Sequence, residues 1–153
     1  MKGNLAERRN IISELQKLAK EVSDMKTTRR QKRPIVIEFS GSPKAGKTSC
    51  ISSLELFLKR NDFSVRIIHE RASVCPVSDK HSPMFNLWTT CTGLASLIET
   101  LENKDSDVDV LLIDRGIFDA LCWFEWLVST NKMEEEQRRV AEDFFLLEEF
   151  VKN

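Results

Sequence analysis

The chain has 153 residues, 23 Lys and Arg against 24 Asp and Glu for a net charge of −1, 41% hydrophobic residues, and only five Gly and four Pro. This length suits one domain of ordinary size, while the composition excludes a wholly disordered chain and collagen-like sequence. The near-neutral charge argues against a general nucleic-acid coat or a polybasic membrane binder, and no run reaches the ~18 apolar residues of a spanning helix.

The first third separates by charge. Residues 1–34 hold ten Lys and Arg against four Asp and Glu. Within them Ile11, Leu15, Leu18, Val22 and Met25 recur at spacings of four and three, which lines one face of a helix. Two readings are open: an amphipathic helix packed on its own domain, which we favour, or a short coiled-coil or partner-docking helix. Residues 27–33 (T-T-R-R-Q-K-R) read as a solvated basic linker, so the domain proper is expected over residues 34–153.

From Pro34 onward strand and helix patterns alternate. Residues 35–39 form a β-branched run, a glycine-containing loop follows, and residues 47–60 read as a helix closed by the Asn61-Asp62 turn. Residues 64–69 (S-V-R-I-I-H) predict a second strand, and residues 70–82 a long loop. Ser82-Pro83 is a cap followed by a favoured first helical residue. The helix it opens carries Met84, Leu87, Trp88, Cys91, Leu94, Ile98 and Leu101 on a 3.6-residue period. Residues 108–113 (V-D-V-L-L-I) predict a third strand, apolar enough to be covered on both faces. Two helices are expected after it, over residues 117–129 and 133–152. The alternation predicts an α/β fold with a parallel sheet.

Cys50, Cys75, Cys91 and Cys122 lie 25, 16 and 31 residues apart without a C-x-x-C pair, and with His69 and His81 they match no zinc spacing. They read as small buried residues or bystanders in a reducing compartment. The charged N-terminus lacks the apolar centre of a leader, so a cytoplasmic chain with no membrane association is expected. Trp88, Trp123 and Trp126 fall on apolar helical patterns and read as core or interface packing. Without Tyr or a basic-aromatic stripe, a nucleic-acid partner is not expected.

The chemistry concentrates in Gly41, Ser42, Pro43, Lys44, Ala45, Gly46, Lys47 and Thr48, a full match to G-x-x-x-x-G-K-[ST], with Ser49 just beyond. A predicted strand precedes it and a predicted helix follows. In that setting successive backbone N–H groups form an anion nest, and the helix N-terminus adds its positive partial charge. Lys47 would reach the β- and γ-phosphates of ATP or another nucleoside triphosphate, and the Thr48 hydroxyl would hold Mg²⁺. Asp114, ending the third strand, would face the same crevice, because strand C-termini of a parallel sheet share one edge. It reads as a second Mg²⁺ ligand, or else as a cap for the helix after it.

With these residues placed, the chain resembles the P-loop kinase group, above all its thymidylate-kinase-like and deoxynucleoside-kinase-like members. The resemblance spans about residues 34–130. It is carried by the phosphate loop, by Glu38 in I-V-I-E, by Glu70-Arg71 after the second strand, and by Asp114-Arg115-Gly116. It implies a three-layer α/β domain whose strand order begins 2-3-1. It also implies Glu70 as a base or orienting group beside an acceptor, with Arg71 and Arg115 clamping phosphate or acceptor oxygens. Each of these pairs also reads as a surface ion pair. Phe39 and Ser40 separate Glu38 from Gly41, where such kinases usually place the glycine directly after the acid. The fourth strand, arginine-bearing lid and fifth strand of the family are not in the sequence, so an incomplete domain is expected. Arg138 and Arg139 are candidates to stand in for lid arginines, in a stretch that otherwise reads as a solvated helix face.

The resulting expectation is a Mg²⁺-dependent phosphotransferase acting on a nucleoside, nucleotide or other small acceptor. The alternatives are a nucleotide-dependent switch or regulatory ATPase working with a protein partner, and a nucleotide-binding scaffold without catalysis. A homodimer or a completing partner could engage the N-terminal helix or the open sheet edge.

Overall fold

The computed structural model describes residues 5–28, 34–103 and 107–151. Its centre is a parallel sheet of β1 (Ile35–Phe39), β2 (Val65–Ile68) and β3 (Val110–Asp114) in the order β1-β3-β2. Counted from the β2 edge this is 2-3-1. The alternation of strand and helix patterns therefore gives an α/β fold with a three-stranded parallel sheet.

β3 is central because it alone can be covered on both faces. Val110, Leu111, Leu112 and Ile113 are all buried, and successive strand residues point to opposite faces. Leu111 and Ile113 enter one cluster with Leu94 and Leu97 of α3 (Pro83–Glu102), Ile117, Phe124 and Leu127 of α4 (Ile117–Ser129), and Ala141 and Phe145 of α5 (Glu135–Phe145). Val110 and Leu112 enter another with Ile51 of α2 (Lys47–Arg60), Phe63, and Ala19 of α1 (Leu5–Thr28). Helices thus cover both faces of the sheet. Among the described residues β1 pairs only with β3, so its other side is an open edge.

The register brings the strand ends together. Phe39 lies opposite Asp114, and Ile68 opposite Ile113. The loops after β1, β2 and β3 consequently leave one edge of the sheet side by side, which is where the candidate residues sit. Ser82 caps α3 as expected, accepting the Phe85 N–H at 3.2 Å ahead of Pro83.

Several expectations are corrected. The second strand is Val65–Ile68, shorter than residues 64–69, and the Ser64 carbonyl just before it accepts the N–H groups of Asp109 and Val110 at the sheet margin. The third strand begins at Val110 and includes Asp114. The long loop holds a 3-10 turn at Ala72–Val74. The expected helix over residues 133–152 splits into α5 and α6 (Glu148–Val151), with a break at Leu146 and Leu147. The break lets Phe150 pack against the core and the Phe144 ring. Lys152 lies outside the described residues.

The favoured reading of the N-terminal helix also changes. α1 leans on the domain through Ala19, which is buried, whereas Ile11, Leu15 and Leu18 of the apolar stripe are exposed. Ala19 joins the cluster of Ile51, Phe63, Val110 and Leu112, to which the exposed stripe residues do not belong. The side chains of Val22 and Met25 are outside the described set, as are residues 29–33 of the basic linker; Thr27 and Thr28 belong to the helix. Cys50, Cys91 and Cys122 are exposed rather than buried, and Cys75 is half-buried; all four are free. No helix among the described residues is long and apolar enough to cross a membrane.

Candidate functional site

β1 ends at Phe39 and α2 begins at Lys47, so residues 40–46 must reverse the chain within one loop. Three of them take the left-handed region: Gly41 at φ 144°, Lys44 at φ 66° and Gly46 at φ 88°. A Cβ at Gly46 would meet nothing within 4 Å, so the requirement there is conformational and not steric. Gly46 is the residue before α2, and neither a side-chain cap nor an acid occupies the first turn. The positive end of α2 is therefore not neutralised from within, an arrangement suited to an anion. Lys47 folds back over the loop, donating from Nζ to the carbonyls of Gly41 at 2.8 Å and Ser42 at 3.1 Å.

The loop opens onto a cleft of about 620 Å³. Pro43, Lys44, Lys47 and Thr48 line its loop side, and Glu70, Arg71, Asp114 and Arg115 its sheet side. The structure therefore brings Lys47, Thr48, Asp114, Arg115, Glu70 and Arg71 to one cavity. Gly41, Ser42, Ala45, Gly46 and Ser49 build the loop or the start of α2 without lining that cavity. Asp114 Oδ1 is buried and has no hydrogen-bond partner. An uncompensated carboxylate oxygen is costly, and Asp114 lines the same cleft as Thr48. No group of three or more His, Cys, Asp or Glu side chains able to hold a metal occurs among the described residues.

Arg115 is drawn inward instead of projecting freely. It takes φ 63°, an unusual conformation for a residue with a side chain. Its N–H bonds the Phe39 carbonyl at 3.1 Å. Its Nη1 donates to Asp119 Oδ2 at 2.8 Å, and its Nε lies 3.3 Å from Glu70 Oε2. The latter contact is an ion pair without good hydrogen-bond alignment, since Nε counts as buried and unpartnered. Arg71 is exposed at the cleft rim.

Glu38 has a role that the motif alone does not disclose. Its carboxylate accepts the N–H groups of Asp119 at 2.8 Å and Phe118 at 3.3 Å, with the Ser40 hydroxyl at 3.0 Å. It thus caps α4 from β1, where Gly116 has no side chain to do so. Asp114 makes no such cap contact, which removes the capping alternative for it.

No family model, curated protein or solved structure matches the chain. What the site can do follows from its own residues.

Sequence reasoning missed several members of this region. Asp119 has no place in the sequence argument, yet it is buried and accepts the Gly41 N–H at 3.0 Å. Its signal in the sequence is an acid four residues after Arg115 in a largely apolar helix. Trp123, read as packing, lines the cleft beside His81. Trp126 stands at the surface in contact with His81, Trp123 and Lys132. Buried Asn86 and Thr90 form the cleft's α3 wall. The suggested lid arginines lie elsewhere: Arg138 is engaged by Glu125, Glu135 and Glu142 on α4 and α5.

Proposed function

We propose that the chain binds a nucleoside triphosphate with Mg²⁺ at the residue 41–48 loop and transfers its γ-phosphoryl group to a small acceptor in the adjoining cleft. The observation that carries this is the left-handed loop leading into the uncapped start of α2, with Lys47 arched over it and Asp114 across the same cavity. The resemblance to P-loop kinases adds the acid-arginine pairs. Thr48 and Asp114 would hold Mg²⁺, which keeps most of its waters and binds through one or two protein oxygens plus phosphates. The unpartnered Asp114 Oδ1 fits that donor set. When bound, the ion offsets charge on the phosphate oxygens.

The protein's share is positioning and electrostatics. The loop N–H groups and Lys47 hold the donor phosphates, and Arg115 and Arg71 face the transferring oxygens. Glu70 accepts the acceptor hydroxyl proton as the acceptor oxygen bonds phosphorus and the bond to the β-phosphate oxygen breaks, releasing the nucleoside diphosphate. Calorimetric titration with Mg-ATP tests the donor half. Saturable binding is expected in the wild-type chain and its loss, about 10-fold or more, in Lys47→Ala; equal binding in both would refute the site.

A second reading is a nucleotide-dependent switch or ATPase acting with a protein partner, favoured by the exposed Ile11, Leu15 and Leu18 stripe. ATP consumption that rises with added nucleosides supports transfer, and consumption insensitive to every acceptor supports the switch.

A further inference from the structure

Asp119 is 5% exposed, and a carboxylate so enclosed is costly unless each oxygen has a donor. Both do, from different parts of the chain. Oδ1 accepts the Gly41 N–H, 78 residues away, and Oδ2 accepts Arg115 Nη1 one helical turn back. The Asp119 N–H is itself bonded to Glu38, so the helix turn carrying the carboxylate is fixed from behind. Since Glu38 already caps α4, the Asp119 side chain is not needed as a cap. Its two oxygens point instead at the first residue of the phosphate loop and at the arginine beside Asp114. Arg115 in turn lies against Glu70 on the same sheet side of the cleft.

We propose that Asp119 is a positioning residue. It sets the phosphate loop and Arg115 in register through one carboxylate, and through Arg115 it ties the donor loop to Glu70. This rests on the nucleotide-binding reading above. Oδ1 fixes the direction of Gly41, whose φ of 144° only glycine adopts readily. Oδ2 fixes the plane of the Arg115 guanidinium, which must be orientated to grip phosphate oxygens.

The two halves of the latch can be separated. Asp119→Asn keeps an oxygen for Gly41 but turns an amide donor toward the Arg115 donor. Asp119→Ala removes both contacts. Calorimetric titration with Mg-ATP is paired with NMR signals of the Gly41 amide and the Arg115 Nε–H in each variant. In Asp119→Asn the Gly41 signal is expected to stay near its wild-type position with Mg-ATP affinity within about 3-fold, while the Arg115 signal moves. In Asp119→Ala both signals move and Mg-ATP binds about 10-fold or more weakly. A purely structural role would lower the unfolding temperature in both without separating the two signals. Asp119→Ala binding Mg-ATP as the wild type does would overturn the proposal. Should that variant fail to fold, an unmoved Arg115 signal in Asp119→Asn overturns it. Lys47→Ala distinguishes the two levels. Wild-type binding that is lost in Lys47→Ala but intact in Asp119→Ala removes only the positioning role. Absence of saturable binding in the wild type removes the nucleotide reading and this inference with it.

Discussion

Gly116 shows why one residue type is demanded by a neighbour far away in sequence. Its φ of −113° is open to any residue, so conformation is not the reason for glycine. A Cβ there would stand 2.4 Å from Glu38 Oε2 and 2.7 Å from Cδ. Gly116→Ala is therefore expected to push the carboxylate off the N–H groups of Phe118 and Asp119. The cost should be about 1–2 kcal/mol, the usual worth of a helix cap. Glu38→Ala should cost a similar amount, and the double variant should cost little more than either alone. Urea unfolding of the three variants checks this, and fully additive costs would mean that Gly116 is not there to clear Glu38. Glu38 stood out in the sequence as part of a resemblance, but its task was not legible there, because its bonding partners lie 80 and 81 residues away.

At the scale of elements, α5 depends on its own charges. Glu134 and Gln137 form a capping box at its start, and Arg138 is held by Glu135, Glu142 and Glu125. The Arg138 hydrogen bond is the main cause holding the Glu135 carboxyl below the usual carboxylate range, with Arg138 and Arg139 charge adding to it. The same contacts raise the Arg138 guanidinium still further above its ordinary value. A carboxyl whose folded pKa is depressed stabilises the fold above its unfolded pKa, and that contribution is lost as pH falls through the folded value. Glu135→Gln is thus expected to unfold at a lower temperature than the wild type at about pH 7, with the gap narrowing as pH falls below the usual carboxylate range. A constant gap across that range would show that the contact is not electrostatic. The sequence pattern EEEQRRVAED reads correctly as a charged helix surface here. The split between α5 and α6 was invisible to it, since only the packing of Phe150 against a core built by other elements decides that the helix must stop.

For the molecule as a whole, β3 is the element on which everything else is assembled. It pairs with both other strands, fills both core clusters and delivers Asp114 and Arg115 to the cleft. Leu112 is fully buried, so Leu112→Ala should cost about 2–5 kcal/mol of stability. Leu15→Ala on the exposed stripe of α1 should stay within about 0.5 kcal/mol. Denaturant unfolding compares the two directly. A large loss at Leu15 would mean that α1 packs through its stripe and not through Ala19. Helix existence and order, strand existence and the loop motif were readable along the chain, because period and turn chemistry are local. The four-residue apolar run of β3 also revealed a strand covered on both faces.

Local sequence by itself therefore determined the α/β alternation, the cap at Ser82, the turn residues of the residue 41–48 loop and the edge on which the candidate residues gather. These depend on backbone preference and hydrophobic period within a few residues. Tertiary structure alone decided that Ala19 and not the apolar stripe meets the domain, that Glu38 caps α4, that Gly116 must be small, and that Asp119 stands between Gly41 and Arg115. Each is a contact between residues brought together only when strands and helices pack, and a buried charge or a close approach has no periodic signature in the chain.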